Sequence, residues 1–251
     1  MVAAGVMKGV DRVIGLHLWA PYETGLLQVN AKHVMAACDI FRIEVHGRGG
    51  HIGTPHTAVD PIAIGAQIVT NLQHLVAREV NPVQAAVVGV TEFHAGRSVG
   101  VIPAEATLIG GANTFDAGVR DHVERRIGEI AASICATHGA TCTYEYTRIY
   151  DAVVNDPGTA AIVAGVAGEL FGTDKVAELA PIMPGEDFSA FGHEAPSCFV
   201  LVGAGNAARG ITAPHHDAHF DIDEDALAIG VRLFVHSAVA LLERTSAAKA
   251  A

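Results

Sequence analysis

Two short stretches, far apart in the chain, carry residue types that bind metals. Asp11 to Pro21 reads D-R-V-I-G-L-H-L-W-A-P, a short apolar run with His17 near its end. Pro214 to Asp221 reads P-H-H-D-A-H-F-D, a histidine cluster in a Gly/Pro-rich loop just ahead of a helix. Neutral imidazole is a ligand for Zn, Mn, Co or Ni. His17 falls at the C-terminal end of a predicted strand, where open α/β sheets place their ligands. His215 and His216 directly follow another predicted strand. The expectation is that His17 and His216 lie side by side as half of a metal site, with the other half outside this chain. Taken alone, His17 reads more readily as a buried, hydrogen-bonded core histidine than as a ligand. Two strand ends that both carry histidine tip the balance modestly towards a metal.

Three further groups could do chemistry. Glu186 and Asp187 are the carboxylate pair nearest in sequence before the histidine loop. They could orient a histidine ligand or meet a substrate amine, or simply be acids at a helix N-terminal turn. His51 and His56 flank a turn in G-R-G-G-H-I-G-T-P-H, residues 47–56. The glycines at 47, 49, 50 and 53 would let the backbone approach a ligand, and a histidine there could polarise a carbonyl or hold an oxyanion. The bland alternative is a surface loop with incidental histidines. No G-x-S-x-G elbow and no glycine loop ending in Lys-Ser/Thr is present.

The elements that must position these residues follow from period and punctuation. Val13 to Leu18 reads as a buried strand and Leu26 to Met35 as an extended edge segment. Phe41, Ile43 and Val45 alternate with polar residues, a period-2 strand. Asp60-Pro61 starts a helix with Ile62, Ala66, Val69, Leu72 and Val76 on one stripe. Strands follow at Ala85 to Phe93 and Ala106 to Asn113. Asp116 caps a helix with Val119, Val123, Ile127, Ile130 and Ile134 inward, and Cys142 to Tyr146 is a further strand. The order is β-α-β-β-α-β, a ferredoxin-like unit complete in itself. Beyond it come a helix from Asp156-Pro157 to Gly172, the turn M-P-G-E-D-F-S-A-F, a buried strand from Cys198 to Gly203, and a terminal helix capped by Asp223. That last helix is expected to face Leu227, Val231, Phe234, Ala238 and Leu241 inward. The fold class is therefore α/β, with residues 1–36 and 151–251 forming one domain interrupted by an inserted domain at 37–150. The outer domain shows only two confident strands, the first sign of a missing front.

Composition narrows the class. Half of the 251 residues are hydrophobic and 17% are charged, which suits a folded chain with a sizeable core. The net charge of −11 argues against nucleic acid and anionic membranes. Four cysteines without C-x-x-C spacing fit reduced thiols in the cytoplasm. No signal peptide is evident at the start, and no apolar run is expected to reach the length of a membrane span.

G-L-H-L-W-A-P, G-R-G-G-H-I-G-T-P-H-T-A-V-D-P-I, G-V-I-P-A-E-A-T-L, T-F-D, M-P-G-E-D-F-S-A-F and H-x-x-x-F-D-I-D-E-D-A-L resemble the M20 peptidase family, in the family's order over essentially the whole chain. They are closest to its amidohydrolase branch, the N-acyl-amino-acid, hippurate and indole-acetyl-amino-acid hydrolases. The resemblance implies a di-metal hydrolase domain interrupted by a ferredoxin-like lid that dimerises, so a homodimer is expected through a lid edge strand or helix. It implies two divalent ions (Zn, Mn, Co or Ni), with His17 and His216 as ligands. It also implies that His51 is the lid histidine that reaches the substrate carbonyl, and it gives Glu186 and Asp187 a supporting role.

Three departures bear on function. The family's C-G-H-D and Glu-Glu segment, with its general base, is absent from these residues. Gly100 stands where an Asn precedes V-I-P, and Asn113 stands where an Arg precedes T-F-D. Gly100 and Asn113 are thus substrate-contact positions with altered chemistry. The implied activity is hydrolysis of the amide of an N-acyl amino acid, with negligible turnover by this chain alone. The reading from another class is a non-catalytic dimerising or small-molecule-binding remnant. In-frame coding for C-G-H-D and Glu-Glu upstream of Met1 would separate the two.

Overall fold

The computed structural model describes residues 1–250, and side chains through residue 244. In chain order the strands are β1 Val13–Glu23, β2 Leu27–Gln28, β3 His33–Met35, β4 Ala37–His46, β5 Gly50–His51, β6 Ala86–Ala95, β7 Val101–Ile102, β8 Glu105–Thr114, β9 Thr141–Tyr150, β10 Val153–Val154, β11 Val176–Ala177 and β12 Ser197–Gly205. The helices are α1 Pro61–His74, α2 Ala117–Thr137, α3 Pro157–Phe171, α4 Ser189–Gly192 and α5 Asp225–Ala250. The chain divides into two compact units: residues 1–35, 152–182 and 186–251, and residues 36–151 with 183–185.

The first unit is built on a sheet of order β1-β12-β2-β11. All nine residues of β12 are buried, as a continuous apolar run in a central strand should be. β1 runs parallel to it, from Val13 opposite Ser197 to Trp19 opposite Gly203. β1 is longer than its apolar run suggested and continues through Pro21 to Glu23. An edge strand tolerates proline because an unpaired N–H is not missed there. Leu27 and Gln28 are not an edge: β2 lies between β12 and β11, both residues fully buried. One face of the sheet carries Leu27, Val200 and Val202 against Ala160, Val163 and Leu233 of α3 and α5. The other carries Trp19, Phe199 and Leu201 against Val34 and Phe188.

α3 begins as its sequence dictates. Asp156 Oδ1 accepts from the Thr159 backbone N–H at 2.7 Å, Pro157 occupies the first turn, and Gly172 at φ 101° stops the helix. α5 departs from its expected phase. Its buried residues are Ala226, Gly230, Leu233, Ser237 and Leu241. The expected stripe is rotated by about one residue, roughly 100°, and only Leu241 is common to both. α5 is apolar almost all round, so periodicity does not select a face. Asp225–Arg244, 20 residues, also contains an 18-residue window of mean hydropathy 1.7, long and apolar enough to cross a membrane by length and composition alone. That corrects the expectation of no such run. The packing of Ala226 and Leu233 onto the sheet identifies α5 as a helix of the fold.

The second unit is the β-α-β-β-α-β arrangement. Its sheet has the order β6-β8-β4-β9 with antiparallel neighbours throughout. Phe41, Ile43 and Val45 of β4 meet Ile64, Ile68 and Leu72 of α1 and Val123 and Ile127 of α2 in one core. Asp60 and Asp116 cap the two helices, each accepting a backbone N–H at 2.9 Å. The α1 stripe also differs from expectation: Ile64 and Ile68 are buried while Ile62 is 41% exposed. Asp39 lies inside this unit, bound by Arg120 Nε at 2.8 Å, Arg120 Nη2 at 2.6 Å and Tyr146 OH at 2.7 Å. Arg120 also donates to Asp151 and to the Tyr150 carbonyl, tying together the first and last strands of the unit.

Candidate functional site

Alternation along β1 sends His17 and Trp19 to the same face, two residues apart. Gly15, the next residue on that face, leaves room for Phe188: a Cβ there would sit 2.6 Å from its ring. The His17 ring is half-buried, and its Nδ1 lies 2.7 Å from the Leu18 carbonyl oxygen. A carbonyl only accepts, so Nδ1 carries the proton and Nε2 presents its lone pair. Oriented ligating histidines have this arrangement.

The loop after β12 brings to this face His215, the residue next to the His216 singled out from sequence. The rings of His17 and His215 are 5.0 Å apart at 81°. Trp19 lies 4.5 Å from His215 on one side and Phe220 4.8 Å away. His215 Nε2 accepts the Ala20 backbone N–H at 3.3 Å, which engages that lone pair. Burial first, then the neighbouring His17 and His216, holds its pKa below the ordinary imidazole value. His216 is exposed and has φ 68°, the only non-glycine residue at positive φ among the described residues. Such a backbone is uncommon outside glycine and is found at functional sites. Of the three imidazoles described here, His17 Nε2 and the exposed His216 ring are therefore the donors without a described partner.

Glu186 is half-buried, and Asp187 beside it is exposed. Burial, and a hydrogen bond with Asp187, raise the Glu186 pKa, while its attraction to His17 pulls the other way. Glu186 Oε1 also accepts the Phe188 N–H at 3.3 Å. The donor chemistry, two imidazoles with a carboxyl nearby, suits Zn, Mn, Co or Ni. Among the described residues, however, no group of three or more His, Cys, Asp and Glu converges as a metal-holding set. The residues fit part of a metal site.

The second unit pairs His51 with Gly100. β5 and β7 form a two-stranded ribbon in which His51 is opposite Val101, and the Ile52 N–H donates to the Gly100 carbonyl at 2.9 Å. Gly100 has φ 84°, a conformation glycine adopts freely. His51 is exposed, and its Nδ1 accepts the Gly53 N–H at 3.0 Å. Its proton is thus on Nε2, pointing the ring for donation. The glycines of this loop serve the chain itself: a Cβ on Gly47 would meet the Val59 carbonyl oxygen at 2.2 Å, and one on Gly49 the Ile102 oxygen at 3.0 Å. Asn113 is likewise committed, its amide donating to the Met183 carbonyl at 2.9 Å. Sequence reasoning passed over Trp19 and Phe220 as parts of the site. The i, i+2 spacing of His17 and Trp19 was the available signal.

The sequence matches Peptidase family M20/M25/M40 over residues 1–240. It is 35% identical over 244 residues to the N-acetylcysteine deacetylase of Bacillus subtilis, covering 97% of this chain and 62% of that protein. It is 45% identical over 155 residues to an N-acyl-L-amino acid amidohydrolase of Geobacillus stearothermophilus, covering 62% of this chain and 42% of the other. Among solved structures, the Bacillus subtilis YXEP protein, described as a dinuclear metal binding peptidase from the M20 family, superposes with a TM-score of 0.77 at 28% identity. That match covers 96% of this chain and 60% of that one. The chain thus spans about three-fifths of the length of the relatives that match it throughout.

Proposed function

Since the chain belongs to the M20/M25/M40 peptidase family, we propose that it forms the lid and the C-terminal part of the catalytic domain of a metal-dependent amidohydrolase. Residues 1–36 and 151–251 are assigned to the catalytic domain and 37–150 to a dimerising lid. The proposed substrates are N-acyl amino acids, in line with the substrates in the relatives' names. A reducing, cytoplasmic setting fits the four free thiols.

The observation that carries this reading is the anchored imidazole of His17, the fifth residue of β1, facing the histidine loop that follows β12. His17 through Nε2 and His216 would hold a divalent ion. When bound, such an ion polarises an amide carbonyl and lowers the pKa of water. His215 sets the loop by accepting the Ala20 N–H and stacking on Trp19. Glu186, half-buried and near His17, would orient a ligand or meet the substrate amine. His51 donates from Nε2 to the substrate carbonyl oxygen, stabilising charge as it develops there. With no third ligand gathered among the described residues, metal affinity and hydrolysis by this chain alone are proposed to be weak.

Hydrolysis of N-acetyl and N-benzoyl amino acids, assayed with added Mn²⁺ or Zn²⁺, tests this. The expected result is metal binding that depends on His17 and His216, with negligible turnover by the isolated chain. Turnover at ordinary enzyme rates of about 1–1,000 s⁻¹ would overturn the proposed incompleteness. Zinc binding unaffected by loss of either histidine would overturn the ligand assignment.

A further inference from the structure

Two of the four thiols face one another inside the second unit. Cys135 lies in the last turn of α2 and ends its buried stripe after Val123, Ile127 and Ala131. Cys142 is the second residue of β9, on the face that also carries Tyr144 and Tyr146. Helix and strand lie close together. A Cβ on Gly128 would sit 2.6 Å from the Tyr144 ring, and the Tyr144 hydroxyl donates to the Glu124 carbonyl at 2.6 Å. From that contact, Cys142 is two residues back along β9 and Cys135 roughly two turns forward along α2. The two residues therefore meet where helix and strand converge on their connecting turn. That turn is tight: the Ala140 N–H donates to the Cys135 carbonyl at 2.9 Å, and Gly139 has φ 72°. Both side chains pack in one core, and their thiols are hydrogen-bonded to each other.

We propose that Cys135 and Cys142 form a reversible dithiol, closed to a disulfide by a low-molecular-weight disulfide such as glutathione disulfide, that staples the end of α2 to β9. Access sets the order of events. Cys135 is fully buried and Cys142 half-buried, and a buried thiol is the less reactive one. The Cys142 thiol gives up its proton and attacks one sulfur of glutathione disulfide, forming a mixed disulfide and releasing one glutathione thiolate. The Cys135 thiol then gives up its proton, attacks the Cys142 sulfur and expels the second glutathione thiolate. The two protein thiols are oxidised, one glutathione disulfide is reduced to two thiols, and both protons end on glutathione. Burial first, and then the neighbouring Cys142, pushes the Cys135 thiol up to about 12. Closure is therefore the slow step and quickens as pH rises, because the thiolate is the nucleophile. The closed bond holds the ends of residues 135–142 together in the unfolded chain and so favours the folded one.

The test reads thiols, so it is independent of whether the chain hydrolyses amides. The folded chain is incubated with glutathione disulfide, the remaining thiols are alkylated, and trypsin releases residues 127–148 as one peptide carrying both cysteines. The expected peptide is free of alkyl groups and two hydrogen atoms lighter than the dithiol, and dithiothreitol restores the dithiol. Cys135→Ala should stop at the mixed disulfide on Cys142, and Cys142→Ala should leave Cys135 reduced. The oxidised chain should unfold about 5 °C above the reduced one. A peptide that stays doubly alkylated at oxidant levels that close it in urea overturns the proposal. So does a mixed disulfide that persists on Cys142 of the wild type, and so does an oxidised chain that unfolds no higher than the reduced one.

Discussion

The ring of His17 meets the ring of His215 edge to face, their centroids 5.0 Å apart, while the ring of Trp19 lies 4.5 Å from His215. His215 spends its Nε2 lone pair on the Ala20 N–H. It is built to hold the loop, whereas His17 keeps Nε2 free. Zinc affinity, measured by competition with a chromophoric chelator, should therefore separate the three histidines. His17→Ala and His216→Ala should lower affinity by more than the roughly 10–100-fold typical of residues that only orient a ligand. His215→Phe preserves the stack and should stay within that range. A larger loss for His215→Phe than for His216→Ala would transfer the ligand role to His215.

Asp39 is 1% exposed and accepts three hydrogen bonds, two from Arg120 and one from Tyr146. Its carboxylate raises the pKa of both partners: through its hydrogen bond it is the largest influence on Arg120, and at Tyr146 it adds to burial. Removing one partner of a buried ion pair strands the other charge and costs about 3–5 kcal/mol. Arg120→Met should lower the unfolding free energy of the chain by that amount in a urea titration. Tyr146→Phe removes one hydrogen bond to a charged group and should cost about 1.5–3 kcal/mol. Arg120→Lys should behave more like Arg120→Met than like wild type, because a lysine cannot reach Asp39, Asp151 and the Tyr150 carbonyl at once.

What the sequence revealed depended on how unambiguous each local signal was. The caps at Asp60, Asp116 and Asp156 and the stop at Gly172 were readable because one side chain and one backbone rule decide each. The strand alternation at Phe41, Ile43 and Val45 was readable because polar neighbours mark its other face. The faces of α1 and α5 were not, because apolar residues lie on more than one side. The buried Asp39–Arg120 pair, 81 residues apart, left no local trace. In the site, His17 was singled out as a strand end but lies within β1, which runs on to Glu23, and the division of labour between His215 and His216 was not legible. It rests on one backbone N–H and on a φ of 68°, which sequence does not encode residue by residue.

The α1 phase can be checked directly. Ile68 is fully buried against Phe41 and Leu108, and Ile64 is 2% exposed, while Ile62 is 41% exposed. Ile68→Ala should destabilise by about 2–5 kcal/mol, the cost of deleting a large buried side chain and leaving a cavity. Ile62→Ala should fall nearer to 0.5 kcal/mol, roughly the value for surface substitutions. Denaturant midpoints at constant slope give both numbers. Equal losses would place Ile62 in the core and return α1 to the face read from its sequence.

Asp156 gives the stability a defined acid dependence. Its carboxylate accepts from Thr159 Oγ1 at 2.6 Å and from the Thr159 N–H at 2.7 Å, with Arg12 Nη1 at 3.5 Å. The Thr159 hydroxyl is the main reason its pKa is lowered. The folded value lies below the unfolded one, so the unfolded chain takes up this proton first as pH falls. The stabilisation is thus complete above the unfolded carboxylate value of about 3.9 and is lost as pH drops through the folded one. Asp156→Asn keeps an oxygen to cap α3 but cannot titrate. The difference in unfolding free energy between wild type and Asp156→Asn should therefore be constant near neutrality and shrink below about pH 4. Asp156→Ala should cost about 0.5–2 kcal/mol at neutral pH through loss of the cap. Urea unfolding of the three proteins between acid and neutral pH measures both effects. A wild-type advantage over Asp156→Asn that grows in acid would mean that this carboxyl is not held ionised by Thr159.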